Sequence, residues 1–493
     1  MTTNTTTDEW FRKAMGADDK KIEIPIPDAE PTENSTKPVS SGGVYAALAG
    51  KQPLLTYDET PIKNSANHIT SGTVYTALQS ISESVSTGGY TGTDKPIYVI
   101  RIDPTEDDPA ACITYAGANE NFTPATKTNL NSWGDTFIGQ KIKPCTVQNG
   151  AINYWLDPEN IFNKADGTAA TLTGADGDCM VAIPTVYWKS SIRALKWITT
   201  TTQQTVIEIA FSEGQFIGST PFAHRFGDEN TIMPYVFVGM FNGYTSGGVL
   251  HSWYSTTSKP TVSQTNDAFQ AQAAAGGTGY SVETWNTYTL INLIYLAAYA
   301  NTNAQATIGQ GFVASNNTAS AAIGLTYRAQ PGGGAYGTTS ETTCTRLFYM
   351  ENRWGNVWNF LQGIMQDASN KIRINHVNTR FITQNVATPA FTDADWTTAS
   401  GQATTSNSYI RTFVGTDPMP FMPAVVGGSS STYATDNYWW STGLRTCIVG
   451  GVWFVGAKCG VFTVDLDDAP SYSHVYIGAR LQILSTGEAA SAA

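Results

Sequence analysis

The sequence predicts an α+β fold in which strands outnumber helices. Three observations carry that expectation: short β-branched and aromatic runs recur along the chain, only two stretches read as helices, and no glycine-rich phosphate loop follows a strand. The strand signal lies in residues 97–102, 205–211, 235–241 and 475–483. In the last of these, Val475, Ile477, Ala479, Leu481 and Ile483 alternate with Tyr476, Gly478, Arg480 and Gln482. That period of two predicts one core face and one available face. Residues 282–300, with Trp285, Leu290, Leu293, Ile294 and Leu296 apolar, predict a helix, and residues 357–365 a shorter one. Both would pack on the sheets.

Ahead of these elements stands a repeat. Asn34, Ser35, Ser41, Gly42, Val44, Tyr45, Ala47 and Leu48 recur in the same order as Asn64, Ser65, Ser71, Gly72, Val74, Tyr75, Ala77 and Leu78. Each copy reads as an extended approach, a capping Ser or Thr, and an apolar helix too short to bury its face alone. Identical chains around a three-fold axis would supply the missing neighbours, so residues 30–88 read as an oligomerising stalk or adaptor after an N-terminal segment, 1–29. A flexible linker is the alternative. The polar, glycine-rich residues 82–96 mark a boundary, and a domain spanning 97–484 is expected beyond it.

Composition narrows the function. A net charge of -12 and a pI near 4.9 give no basic stripe able to neutralise a phosphate backbone, so nucleic acid is excluded as a partner. The first residues contain no apolar run of signal-peptide type, and the most apolar stretch, 290–300, is interrupted by Asn292 and falls short of the ~20 residues that cross a bilayer, so no membrane insertion is expected. Six cysteines without a CxxC pair read as buried thiols. His68, His224, His251, His376 and His474 fall in no HExxH, paired-His or GxSxG arrangement, which leaves hydrolase and metalloenzyme chemistry without a site. No enzyme activity and no cofactor are expected.

Residues 351–363, ENRWGNVWNFLQG, set Trp354, Val357, Trp358 and Phe360 around a Gly355-Asn356 corner. The phrase resembles the Gly-Asn-Val-Trp-Glu-Trp motif of the formylglycine-generating-enzyme branch of C-type-lectin-like folds, with Asn359 in place of the acidic residue. These aromatics are expected in the core. Toward the C-terminus, Gly450, Gly451, Trp453, Gly456, Gly460, Phe462, Leu466, Ala469, Ser471, Ser473 and residues 477–481 form a framework similar to the variable region of diversity-generating-retroelement target proteins. Residues 97–430 share that likeness more loosely, through the order IYVIRID, GDCMVAIPTVYWK, WGNVW.

The resemblance implies a C-type-lectin-like domain with a variable region over about residues 433–481, and the task of a phage tail-tip or tail-fibre adhesin that binds a host-cell surface receptor, protein or glycan. It further implies a virion protein made in the bacterial host cytoplasm, seated on other tail or baseplate proteins as a homotrimer. In that family, variable sites are templated as Asn codons mutated at adenines, so their products have codons ending in a pyrimidine. Phe454, Val455, Asp465, Asp467, Asp468, Tyr472, His474 and Tyr476 conform, and Lys458 does not. With Tyr438, Trp440 and Lys458, these residues make up the expected receptor-binding set.

The residues support it independently. Tyr438, Trp439, Trp440, Trp453, Phe454, Tyr472 and Tyr476 crowd the same region, and rigid aromatics give large contact area at low rotamer entropy. Trp453 is the first of them expected in the core. Asp465, Asp467 and Asp468 invite a calcium reading, but three carboxylates fall short of the ~6 oxygens calcium takes, so no metal is assigned. The acidic 174–178 stretch reads as a tight turn. Two other functions compete: a structural tail or baseplate component, and an oxidase resembling formylglycine-generating enzymes that would use Cys447 and Cys459.

Overall fold

The computed structural model describes residues 90–197, 203–225, 231–378, 381–392, 395–405 and 407–484. The N-terminal segment and the expected repeat stalk lie outside the described residues.

The described residues are mainly β with few helices and are organised in three principal sheets. One has five strands in the order Ile113–Gly117, Tyr98–Ile102, Gln203–Ser212, Tyr187–Trp197, Thr220–Pro221. A second has seven: Tyr280–Val282, Leu481–Leu484, Tyr235–Gly239, Asp178–Pro184, Lys143–Gln148, Ala151–Asp157, Asn160–Lys164. The third runs Trp396–Ala399, Ile372–Asn375, Trp358–Gln366, Arg445–Val449, Val464–Leu466, Asn437–Trp440, Ser408–Phe413, Pro423–Val426, with Ile477–Ala479 parallel to Trp358–Gln366. Tyr90, ahead of the first strand, packs on the five-stranded sheet: its ring meets Phe216 at 5.6 Å and its hydroxyl donates to Glu208.

The expected first helix is present as Trp285–Tyr299. Its start is set by Thr284, whose hydroxyl accepts from the Thr287 amide, the usual way a first-turn donor is satisfied. Every residue of this helix is buried, polar Asn286 and Asn292 included, so it forms part of the main core rather than a surface element. No helix among the described residues is long and apolar enough to cross a membrane.

The second expected helix is a strand. Trp358–Gln366 pairs with Ile372–Asn375, Arg445–Val449 and Ile477–Ala479, and all nine of its residues are buried. Its polar residues Asn359, Gln362 and Gln366 stand three and four apart, as on one face of a helix, yet they are buried and bonded to Val357, Asn266 and Ser441. Periodicity alone therefore does not separate such a strand from a helix.

The 475–483 run also departs from expectation. It forms two strands, Ile477–Ala479 in the third sheet and Leu481–Leu484 in the second, and neither has an available face. Arg480 turns the chain between them while fully buried. Its guanidinium donates to the carbonyls of Gly239 (2.8 Å), Glu351 (2.6 Å) and Asn352 (3.2 Å), with Glu283 at 3.9 Å. Burial, with Arg353 beside it, pulls its pKa down to about 9. Glu283 is meanwhile held by Arg353 at 2.7 Å. Gln482 accepts from Thr284. Polar partners inside the core thus replace the solvent that the alternation anticipated.

Candidate functional site

The Gly355-Asn356 corner builds the floor of the C-terminal face. Both residues hold positive φ, +72° and +62°, and Trp354, Val357 and Trp358 around them are core, as expected. The corner grips the following loop by its main chain: Gly355 N–H donates to Gly450 (3.0 Å), and the amide of Trp453 donates to Asn356 (3.1 Å). Gly450 and Gly451 take φ of +86° and +83°, and a Cβ on Gly451 would lie 2.3 Å from the sulfur of Cys459, so this turn requires glycine. Trp453 is buried, as expected, and the loop then delivers Phe454 to the surface at 39% exposure.

A second segment, residues 467–476, returns beside it. The Ser263 amide donates to the His474 carbonyl and the Trp358 amide to that of Tyr476, both at 3.0 Å. Their side chains meet Phe454. The Phe454 and Tyr476 rings lie 5.6 Å apart edge to face, Tyr476 and His474 are 3.7 Å apart, and His474 stacks on Tyr472 at 6.0 Å. The Tyr472 and Tyr476 hydroxyls share a hydrogen bond of 2.9 Å. Burial and that bond push the Tyr476 hydroxyl pKa up. Trp453, at 6.3 Å from Tyr476, supports the group from below. Phe454, Tyr472, His474 and Tyr476 therefore form one contiguous, half-open aromatic face, while Val455 packs, partly buried, against the core beside it.

The remaining expected contacts sort differently. In the strand Asn437–Trp440, successive side chains alternate between faces. Tyr438 is fully buried in the main core, its hydroxyl donating to Ala403, and is withdrawn as a receptor contact. Trp440 leans on that same core and donates to Gln366 at 2.7 Å, away from the Phe454 group. The intervening Trp439, absent from the expected set, packs edge-on to Trp358 at 5.4 Å on the core that also supports Tyr472 and Tyr476. The ammonium of Lys458 lies 5.8 Å over the Trp439 ring and donates to Asn407. A period-two reading offset by one residue would have found Trp439.

Asp465 sits beside Trp439 in the parallel pairing of Val464–Leu466 with Asn437–Trp440, and it too is buried. It is withdrawn as a direct contact: neighbouring strands cover it, and its carboxylate accepts from the Asp467 amide at 2.8 Å. Asp467 and Asp468 are half-buried, and one oxygen from each of the three carboxyls falls within 4.8 Å of the others. Burial and the mutual repulsion push Asp465 well up, and Asp468 to about 7, with Arg445 opposing. Such a cluster resists carrying three charges. It borders the aromatic face, since Asp468 and Asp465 also contribute to raising Tyr476.

All six cysteines are buried free thiols, as expected. Burial drives Cys447 and Cys459 well above the ordinary thiol range, the opposite of an activated thiolate. At residues 174–178, Gly174 and Gly177 take φ of +103° and +98°, a tight turn, and Asp178 accepts from the Ser252 amide.

No family model matches the chain, and no curated protein matches it in sequence. Among solved structures it is similar to proteins described as tropism determinants. These are the Major Tropism Determinant U1 variant, at 11% identity and a TM-score of 0.22 over 80% of this chain and 73% of that one, and the P3c variant, at 10% and 0.22 over 74% and 85%. At that overlap neither sets the fold or the function of this chain.

Proposed function

We propose that the protein is a phage tail-tip adhesin that binds a host-cell surface receptor through the Phe454–Tyr476 aromatic face on a C-type-lectin-like domain. One observation carries the reading: Phe454, Tyr472, His474 and Tyr476, all residues that adenine mutagenesis of an Asn codon produces, are gathered into a single outward group. Their main chain is held by amide–carbonyl bonds to the corner and to Trp358. Fixed backbone with exchangeable aromatic side chains is the arrangement of a paratope. Asp467, Asp468, Lys458 and Trp439 border the face and supply charge and further apolar area for selectivity.

In this reading the repeats of residues 30–88 trimerise the chain on a tail or baseplate, in a virion assembled in the host cytoplasm. Three linked faces on a receptor-dense cell raise avidity by about 10²-fold or more over one. The face serves as a binding surface and not as an oxidase centre.

Two measurements test it. In sibling phage isolates, substitutions at the 3′ end of the gene should fall on adenine-templated codons and spare the framework; an invariant end favours a structural tail component. Labelled protein should adsorb to a susceptible bacterial strain, with Phe454→Ala and Tyr476→Ala each weakening adsorption about tenfold or more at unchanged thermal stability. Undiminished adsorption by both variants would refute the assignment of the face.

A further inference from the structure

A cavity of about 620 Å³ shares no residue with the aromatic face. Its size lies within the ~300–1,000 Å³ of small-molecule sites. Residues 126–130, 138–139, 142–143, 158–159, 330 and 333–337 form its walls, and Tyr299, Phe348 and Tyr349 complete the lining.

Phe348 and Tyr349 occupy the two-residue turn of a hairpin whose strands, Arg346–Leu347 and Met350–Glu351, pair Arg346 with Glu351 and Leu347 with Met350. Both have positive φ, +46° and +64°. A turn of this kind takes Asn-Gly without strain, and bulky side chains are unfavourable at either position. The surroundings nonetheless fix it: the Tyr349 amide donates to Gly334 (2.9 Å), and the Tyr327 hydroxyl donates to the Tyr349 carbonyl (2.6 Å). Strain that the fold holds in place marks positions kept for what their side chains do. Here the strained pair contributes aromatic surface to the cavity.

The wall that adjoins them is glycine-rich backbone. A Cβ on Gly332 would meet the Glu159 carbonyl at 1.9 Å, so the loop can run there only as glycine, and Gly334 faces the Tyr349 ring. Arg346 braces this loop from behind, donating to Gln330 (3.0 Å) and to Gly332 while lying 4.1 Å from the Tyr327 ring and 5.8 Å from that of Tyr336. Lys127 and Lys143 bring two ammonium groups to the lining against one carboxylate, Glu159, and none of the three enters an ion pair among the described residues. In a chain of net charge -12 that local excess is directional.

We propose that this cavity binds a short acidic saccharide. The faces of Tyr336 and Tyr349 take the pyranose ring, the glycine-loop backbone with Asn129 and Gln330 takes its hydroxyls, and Lys127 and Lys143 take the carboxylate or phosphate substituent. With Glu159 as its one carboxylate, the lining lacks the acid pair that glycoside hydrolysis uses, so the site binds and does not cleave.

Saturation-transfer NMR and calorimetry with glucuronic acid, glucose 6-phosphate, glucose and inorganic phosphate test the assignment on the full chain. At least one of the two acidic sugars should bind, glucose more weakly, and phosphate alone should fail to compete. Tyr349→Asn, which keeps a residue tolerant of positive φ but removes the ring, should leave the melting temperature unchanged or higher and weaken sugar binding about tenfold or more. Lys143→Met should reduce an acidic sugar to the affinity of glucose. Phe454→Ala should change neither, which separates this site from the receptor face. If Tyr349→Asn lowers the melting temperature, Tyr336→Ala provides the same reading from the neighbouring ring. The proposal is overturned if no sugar binds the parent protein, if glucose or phosphate binds as tightly as the acidic sugars, or if the ring-deleted variant that keeps its fold binds undiminished.

Discussion

Replacing Asp468 with asparagine should make the protein more stable at neutral and alkaline pH and leave it unchanged in acid. In the folded chain, burial and the charge of Asp467 raise the Asp468 carboxyl from 3.8 to about 7. In the unfolded chain it titrates near ~3.9. Between those values the folded state retains a proton that the unfolded state has lost, so stability falls as pH rises through about 4 to 7 and levels off above. At about 1.36 kcal/mol per pH unit the displacement has an upper bound of about 4 kcal/mol. Asp468 is only half-buried and Arg445 offsets its charge, so solvent screening reduces the expected penalty to about 1–2 kcal/mol. The neutral amide of the Asp468→Asn variant would carry no such penalty and would also relieve the repulsion that raises Asp465. Urea unfolding followed by tryptophan fluorescence, from about pH 4 to about pH 8, should give curves that coincide at the acid end and diverge upward for the variant. Parallel curves across the whole range, or a variant less stable at high pH, would show that the three carboxyls do not repel one another as described.

Three further outcomes are expected. Gly451→Ala, with positive φ and a Cβ 2.3 Å from the Cys459 sulfur, should cost about 2–3 kcal/mol in chemical denaturation, partly recovered in a Cys459→Ala background. Arg480→Ala strands the buried carbonyls of Gly239, Glu351 and Asn352 where the chain passes between two sheets, and should cost about 3–5 kcal/mol or prevent soluble expression. Cys447→Ala combined with Cys459→Ala should leave cell adsorption intact; its loss would revive a chemical role for the thiols.

Much of the fold was legible because it was written in local signals. The strands near residues 97, 205 and 235 and the Thr284-capped helix coincide with apolar runs whose ends carry turn or capping residues. What was hidden depends on partners distant in sequence. Residues 358–366 became a strand because three other strands and the core enclose them. Arg480 could be internal only because Glu283 and three carbonyls were waiting for it. For the site, Phe454, Tyr472, His474 and Tyr476 were recoverable from the framework around them. Tyr438 and Asp465 were misread because a polar or aromatic residue on a doubly covered strand has the same spelling as one at a surface. The cavity's signal was present in Phe348-Tyr349 and the Gly332–Gly334 run, but neither resembles a site until the hairpin brings them together.

The way the 467–476 segment is anchored has a practical consequence. Its ties to Ser263 and Trp358 run through the carbonyl oxygens of His474 and Tyr476, groups that every amino acid carries. A combinatorial library at positions 454, 474 and 476 should therefore preserve the loop's path through nearly any substitution. At position 472 proline alone is barred, since the amide there donates to Ala469. Selection against an arbitrary target would then sample side-chain chemistry on a constant trace, with folding yield largely uncoupled from the specificity obtained.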